Sequence, residues 1–198
     1  MRVTVFFINT AAYTEPVYFT RITADYRTWL QNLYLAMAVL TVLLLSQAAS
    51  CGELVPFAQK PESPPLKLPD LSGQQHNISD YRGKVVLVNF WASWCQPCLQ
   101  EMPSMQRLHE KMRDRPFSVL AVDVEESKSK VWRFKKLLNI SFTVLLDSKA
   151  EVARQWDTKI FPTSYLVDGE GRIRYRVRGA LEWDSDEVKQ LIETLLPK

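Results

Sequence analysis

The stretch 85-VVLVNFWASWCQPCLQEMP-103 opens with the pattern of a strand and closes with that of a helix. Its first six residues are β-branched or apolar except for Asn89, as expected of a strand buried on both faces in a parallel sheet. Beyond the cysteines, Met102, Met105, Leu108 and Met112 recur at steps of three and four, which predicts an amphipathic helix over 98–113. Pro97 suits the first turn of that helix, where a missing N–H is tolerated, and Pro103 predicts a kink. Two cysteines, Cys95 and Cys98, therefore sit where a buried strand gives way to a helix.

The pattern extends outward on both sides. Residues 117-FSVLAVDV-124 read as a second buried strand, followed by a helix over 128–139, a strand over 142–146 and a short helix over 149–156. Residues 163–167 and 172–178 flank 168-DGEG-171, a hairpin signal. A last helix covers 184–196, with Asp184 or Ser185 as N-cap and Val188, Leu191, Ile192 and Leu195 as its apolar stripe. Upstream, 68–82 with the turn 72-SGQQ-75 predicts a short β-hairpin or an extended lead-in. Strand–helix–strand units that end in a hairpin and a helix make an α/β sandwich with a mixed sheet. In 172-RIRYRVR-178 the four arginines share one strand face, expected to be an exposed charged face guarding a sheet edge, or else a dock for anions.

Composition narrows the function. A net charge of +3 over 198 residues, with no Arg/Lys run, gives no nucleic-acid footprint. No Gly-rich phosphate loop is present, and no cofactor is expected. Three cysteines are too few for a disulfide scaffold.

Three chemistries compete for Cys95 and Cys98. A structural zinc site needs four ligands, and the chain has one CxxC, a distant Cys51 and two histidines. His109 lies eleven residues beyond Cys98 on the same helix, roughly 16 Å away, and cannot share a metal with it. A structural staple closing so small a loop removes little chain entropy. Redox exchange fits best, because the helix N-terminus favours a thiolate at Cys95 and places Cys98 one turn further in as the resolving thiol. Trp94, next to the nucleophile, is expected to shape a substrate-facing rim.

The segment NFWASWCQPCLQEMP resembles the active-site segment of the TlpA/ResA-like branch of the thioredoxin superfamily. The likeness extends over 83-GKVVLVNFWASWC-95, 161-FPTSYLVDGEGRI-173 and 178-RGALEWDSDEV-188. It implies a thioredoxin-like fold over residues 66–198, a central mixed sheet flanked by helices with an N-terminal β-hairpin extension. It also implies a thiol–disulfide oxidoreductase acting on protein disulfides through a redox-active Cys95–Cys98 pair. In the family pattern Pro162 is a cis-proline beside the pair, presenting backbone to the substrate. Phe161 before it is bulkier than the usual Leu, Val or Thr. Glu101 matches a family acid able to carry the Cys98 proton, and Asn89 stands where cytosolic thioredoxins keep a buried Asp. The inner Gln-Pro is closer to the Gly-Pro of reducing thioredoxins than to the Pro-His of strong oxidants. A reductant with a potential near the roughly −270 mV of thioredoxin is expected. A membrane-embedded thiol transporter would recharge it, and the domain is expected to be monomeric. A copper-binding metallochaperone on the same fold is the alternative, and it needs a His or Met ligand near the pair, His76 being the only unassigned histidine. A peroxidase would need a lone peroxidatic Cys with Thr and Arg partners, for which no local motif is present.

The first fifty residues read as an export signal. From Leu33 to Leu45 the chain is almost wholly apolar, with Arg21 and Arg27 upstream and the small residues 46-SQAASCG-52 after it. Thirteen helical residues reach about 20 Å, short of the roughly 30 Å bilayer core, which suits a secretory h-region. Ala48-Ala49-Ser50-Cys51 resembles a bacterial lipobox with Ala48 where Leu is usual, which would make Cys51 a lipidated N-terminus. A signal anchor or plain cleavage near Ala48 are the other outcomes, and all three place the domain outside the cytoplasmic membrane. Residues 51–65 lie in a stretch with five of the eleven prolines, expected to form a semi-rigid linker before a domain beginning at Leu66.

Overall fold

The computed structural model describes residues 26, 28–39, 52–59 and 61–197. The chain divides into two units, Met1–Ala49 and Ser50–Lys198. In the first, residues 28–39 are helical, which takes in the first part of the expected h-region. The remainder of that region, the lipobox and Cys51 lie outside the described residues. Among those described, no helix is long and apolar enough to cross a membrane.

In the second unit the strands are β1 (Glu53–Pro56), β2 (Lys67–Pro69), β3 (Gln75–Asn77), β4 (Val85–Trp91), β5 (Phe117–Val124), β6 (Thr143–Asp147), β7 (Thr163–Val167) and β8 (Ile173–Arg178). The helices are α1 (Gln96–Lys111), α2 (Lys128–Leu137), α3 (Glu151–Gln155) and α4 (Asp186–Leu195). Six strands form one sheet in the order β1-β8-β7-β4-β5-β6. Strands β4, β5 and β6 run parallel, while β7 runs antiparallel to β4 and β8 antiparallel to β7. This is the mixed sheet expected, and β2 pairs with β3 as the expected hairpin.

Alternation along β4 sends Val85, Leu87 and Trp91 to one face and Val86, Val88 and Phe90 to the other. The first face packs against Met102, Met105 and Leu108 of α1, Val131 of α2, and Val188 and Ile192 of α4. The second packs against Val152 and Ala153 of α3, Trp156, and Leu66 and Leu68 at the hairpin. Helix α1 runs unbroken through Pro103. Ser185 caps α4, its hydroxyl accepting from Val188 N–H at 3.4 Å. Asp184, the other candidate cap, instead pairs with Arg107 and Lys111 of α1 at 2.8 and 2.9 Å.

Two expectations change. Residues 51–65 are not a free linker along their length, because Glu53–Pro56 pair with Arg178 to Tyr175 as the outermost strand. The donors and acceptors of β8 that face away from β7 would otherwise be unpaired, and Pro56 is tolerated where only one side of a strand is bonded. Gly52 leads into that strand: its N–H donates to Ala180 O at 2.6 Å, and a Cβ there would lie 2.5 Å from Gly179 O. It follows that β8 is not a sheet edge. Arg172 and Arg174 pair with Glu170 and Asp168 at 3.2 Å each, and Arg176 lies over the Phe57 ring.

Candidate active site

Strand β4 ends at Trp91, and the turn Ala92–Trp94 delivers Cys95 as the N-cap of α1. Cys95 and Cys98 form a disulfide, with Cα atoms 5.3 Å apart, and Cys98 N–H points at Cys95 Sγ at 3.2 Å. Pro97 occupies the first turn of α1. Cys98 is fully buried, whereas Cys95 keeps 5% of its surface. The attacking and resolving assignments made from sequence require that order of access.

The antiparallel pairing of β4 with β7 sets Phe90 opposite Thr163, so the loop before β7 borders the cysteine turn. The Phe161–Pro162 peptide bond is cis. Pro162 O accepts from Gly179 N–H at 2.9 Å, and Ile160 O accepts from the Thr163 hydroxyl at 2.8 Å, which fixes the loop on both sides of Phe161. The Phe161 ring meets Trp94 edge-on, with centroids 5.7 Å apart. Trp94 is two-thirds exposed, and Ile160, next to Phe161 in the chain, is half exposed.

Glu101 lies three residues after Cys98, on the same face of α1, and is 2% exposed. Asn89 Nδ2 donates to its Oε1 at 2.7 Å, while Leu181 N–H and Trp183 Nε1 donate to its Oε2 at 3.1 and 2.9 Å. Burial raises the Glu101 carboxyl, and the bonds from Trp183, Leu181 and Asn89 offset only part of that, leaving it at about 7. An acid poised there can take or give a proton at neutral pH. Asn89 also donates to Ser164 Oγ at 2.8 Å, and its own Oδ1 is buried without a partner.

The structure thus gathers Trp94, Cys95, Cys98, Glu101, Phe161 and Pro162 around the end of β4. His76, the histidine left unassigned in the metallochaperone alternative, has its ring nitrogens turned to Tyr81 Oη at 2.7 Å and Asp70 Oδ2 at 3.4 Å. Among the described residues no cluster of three or more His, Cys, Asp or Glu side chains could hold a metal. Sequence reasoning missed Trp183 and Leu181 as partners of Glu101, and it missed an acidic group at the other side of the cysteine turn. There Ser93 N–H and Oγ donate to the Glu126 carboxylate, the latter at 2.7 Å, and Lys130 Nζ lies 2.5 Å from it.

Comparison with known proteins agrees with this geometry. Residues 61–176 match the AhpC/TSA family. The thiol-disulfide oxidoreductase ResA of Geobacillus thermodenitrificans is 32% identical over 166 residues, covering 79% of this chain and 94% of that protein. The thioredoxin-like protein YneN of Bacillus subtilis is 35% identical over 150 residues, covering 74% and 86%. Among solved structures, a thiol:disulfide interchange protein of the thioredoxin family from Chlorobium tepidum superposes with a TM-score of 0.60 at 26% identity, covering 69% of this chain and 99% of that one.

Proposed function

From the premise that the chain belongs to the AhpC/TSA family and to the ResA-like thiol-disulfide oxidoreductases, we propose that it is an exported, membrane-tethered reductase of protein disulfides. In the reduced enzyme the Cys95 thiolate attacks one sulfur of a client disulfide, and the other client sulfur leaves as a thiolate and takes up a proton. Cys98 gives its proton to the Glu101 carboxylate and attacks Cys95 Sγ. That closes the Cys95–Cys98 disulfide, and the second client sulfur leaves as a thiolate that takes the proton from Glu101. Two electrons and two protons have then passed to the client. A membrane thiol transporter returns the pair to the dithiol by the same exchange in reverse.

The observation that carries this reading is the joint placement of a cysteine pair at a helix N-cap and a buried acid one turn beyond it. Phe161, Pro162 and Trp94 form the surface on which a client peptide would lie, and they set client choice. Export rests on the apolar run Leu33–Leu45 and the small residues after it, and tethering rests on Cys51 as a lipid acceptor.

Three measurements on the full chain in membranes test the proposal. A Cys98→Ser variant should accumulate mixed disulfides with extracytoplasmic proteins through Cys95. The reduction potential should fall near the roughly −270 mV of thioredoxin, and a value above about −150 mV refutes the reducing direction. Mass spectrometry of the mature N-terminus decides the anchor, since residues found upstream of Cys51 exclude lipidation.

A further inference from the structure

A second carboxyl group lies buried beside this machinery with no part in the mechanism above. Asp123, the last but one residue of β5, is 1% exposed and sits in register with Trp91 of β4. By the alternation of β5 it faces the same side of the sheet as Val119 and Ala121, the side of α1 and α2. Its polar neighbours are the carboxyl and backbone N–H of Glu126, and neither Asp123 oxygen receives a hydrogen bond of ordinary geometry. Its partners on the adjoining strands, Trp91 and Leu146, carry no charge. The titratable groups facing it are Glu126 and, from α2, Lys130.

Two ionised carboxylates side by side in a buried site repel, so one of them carries a proton, and its O–H then finds an acceptor on the other. Glu126 is the member equipped to stay ionised. Burial works to raise it, but Lys130 and the two Ser93 donors outweigh burial and hold it below its ordinary value. Asp123 has only the Lys130 charge and the Glu126 N–H on its side. Burial first, and then Glu126, push it up to about 8.

We propose that Asp123 is a positioning residue, a carboxylic acid that donates its O–H to the Glu126 carboxylate and so secures the grip of Glu126 on Ser93. Ser93 is two residues before Cys95, and the turn it belongs to is closed by Cys95 N–H donating to Ala92 O at 3.1 Å. Holding Ser93 by both its N–H and its hydroxyl therefore fixes the approach of the chain to the nucleophile. When Asp123 ionises, a second negative charge appears beside Glu126. The O–H donor is lost, and the thiolate two residues from Ser93 is disfavoured. This inference rests on the role proposed for Cys95.

The test follows iodoacetamide alkylation of Cys95 in the reduced full-length protein as a function of pH, read by mass spectrometry of its own peptide. The wild type should show a second inflection near pH 8 above that of the thiol. Asp123→Asn keeps an N–H donor but cannot ionise, so it should alkylate at the wild-type rate at neutral pH and lack the second inflection. Asp123→Ala removes the donor and should change the neutral-pH rate several-fold. Persistence of the second inflection in Asp123→Asn overturns the proposal. Independently of reactivity, the infrared difference between wild type and Asp123→Asn at pH 6 should contain the carbonyl stretch of a protonated carboxylic acid, and its absence overturns the proposal even if Asp123→Ala does not fold. If Cys95 fails to alkylate at any pH, the nucleophile assignment falls, while the infrared arm still decides the state of Asp123.

Discussion

The Asn89 side-chain amide reaches from the middle of β4 to the Glu101 carboxyl on α1, donating at 2.7 Å. Together with Leu181 N–H and Trp183 Nε1, it gives this buried acid three donors, each of which favours the ionised form. Burial nevertheless wins, and the carboxyl titrates near neutrality. In the proposed mechanism Glu101 exchanges protons with Cys98 from this fixed position.

Removing that exchange should slow one step only. Glu101→Gln should slow resolution of the mixed disulfide by on the order of a hundredfold at pH 7, the lower end of what a positioned acid or base contributes. First attack by Cys95 should change little. Quenched-flow trapping of the mixed disulfide should show it accumulating in the variant, and the defect should shrink at high pH, where Cys98 loses its proton to solvent.

The same carboxyl makes stability depend on pH. Its ordinary value of 4.5 applies to the unfolded chain, and in the folded chain it is raised to about 7. The stability it lends is therefore complete below about pH 4.5 and lost as pH rises through 7. The difference corresponds to about 3 kcal/mol. Thermal melts between pH 4.5 and 8 should show the wild type losing stability and Glu101→Gln losing markedly less. Equal slopes would mean that Glu101 is not held protonated by burial.

At the rim, Phe161→Ala removes the edge-on partner of Trp94. Aromatic pairs of this kind contribute about 0.5–1.5 kcal/mol. The variant should raise KM for a disulfide-containing peptide about three- to tenfold, with kcat and the rate of reduction by dithiothreitol little changed. A fall in kcat at constant KM would move Phe161 from recognition to the chemical step.

Strand β1 should matter to stability and solution state. A chain begun at Leu66 leaves β8 with an unpaired edge, whereas one begun at Ser50 keeps it covered. Calorimetry should show the shorter chain melting at least about 5 °C lower, and light scattering should show it self-associating through the open edge. Gly52→Val should reproduce part of the loss, about 1–3 kcal/mol, because its side chain meets the Gly179 carbonyl.

Much of this molecule is legible in the sequence because the information is local. The runs 85-VVLVNF-90 and 117-FSVLAVDV-124 are continuous and apolar, and the strands fall on them. The cysteine pair declares itself by spacing, by its neighbours and by position between strand and helix. The hidden parts depend on distant or disguised residues. Glu53–Pro56 lies in a proline-rich stretch and becomes a strand only because β8, more than a hundred residues later, offers it a partner. Glu101 finds Leu181 and Trp183 at separations of 80 and 82 residues, beyond any local pattern. Asp123 reads as one polar letter in an apolar run, and nothing in the sequence says that it faces Glu126 and not water.

The start of β1 turns a leash into a mount. Fifteen free residues from 51 to 65 would allow a domain fixed at Cys51 to range over about 50 Å. Gly52, however, is already bonded to Ala180, and Glu53 is already paired with Arg178. An acyl chain on Cys51 would leave almost no slack between lipid and sheet. Which client disulfides come within range would then be governed by the height and heading at which the domain is fixed, and a partner would have to present its cystine there, since the enzyme could not wander out to collect it.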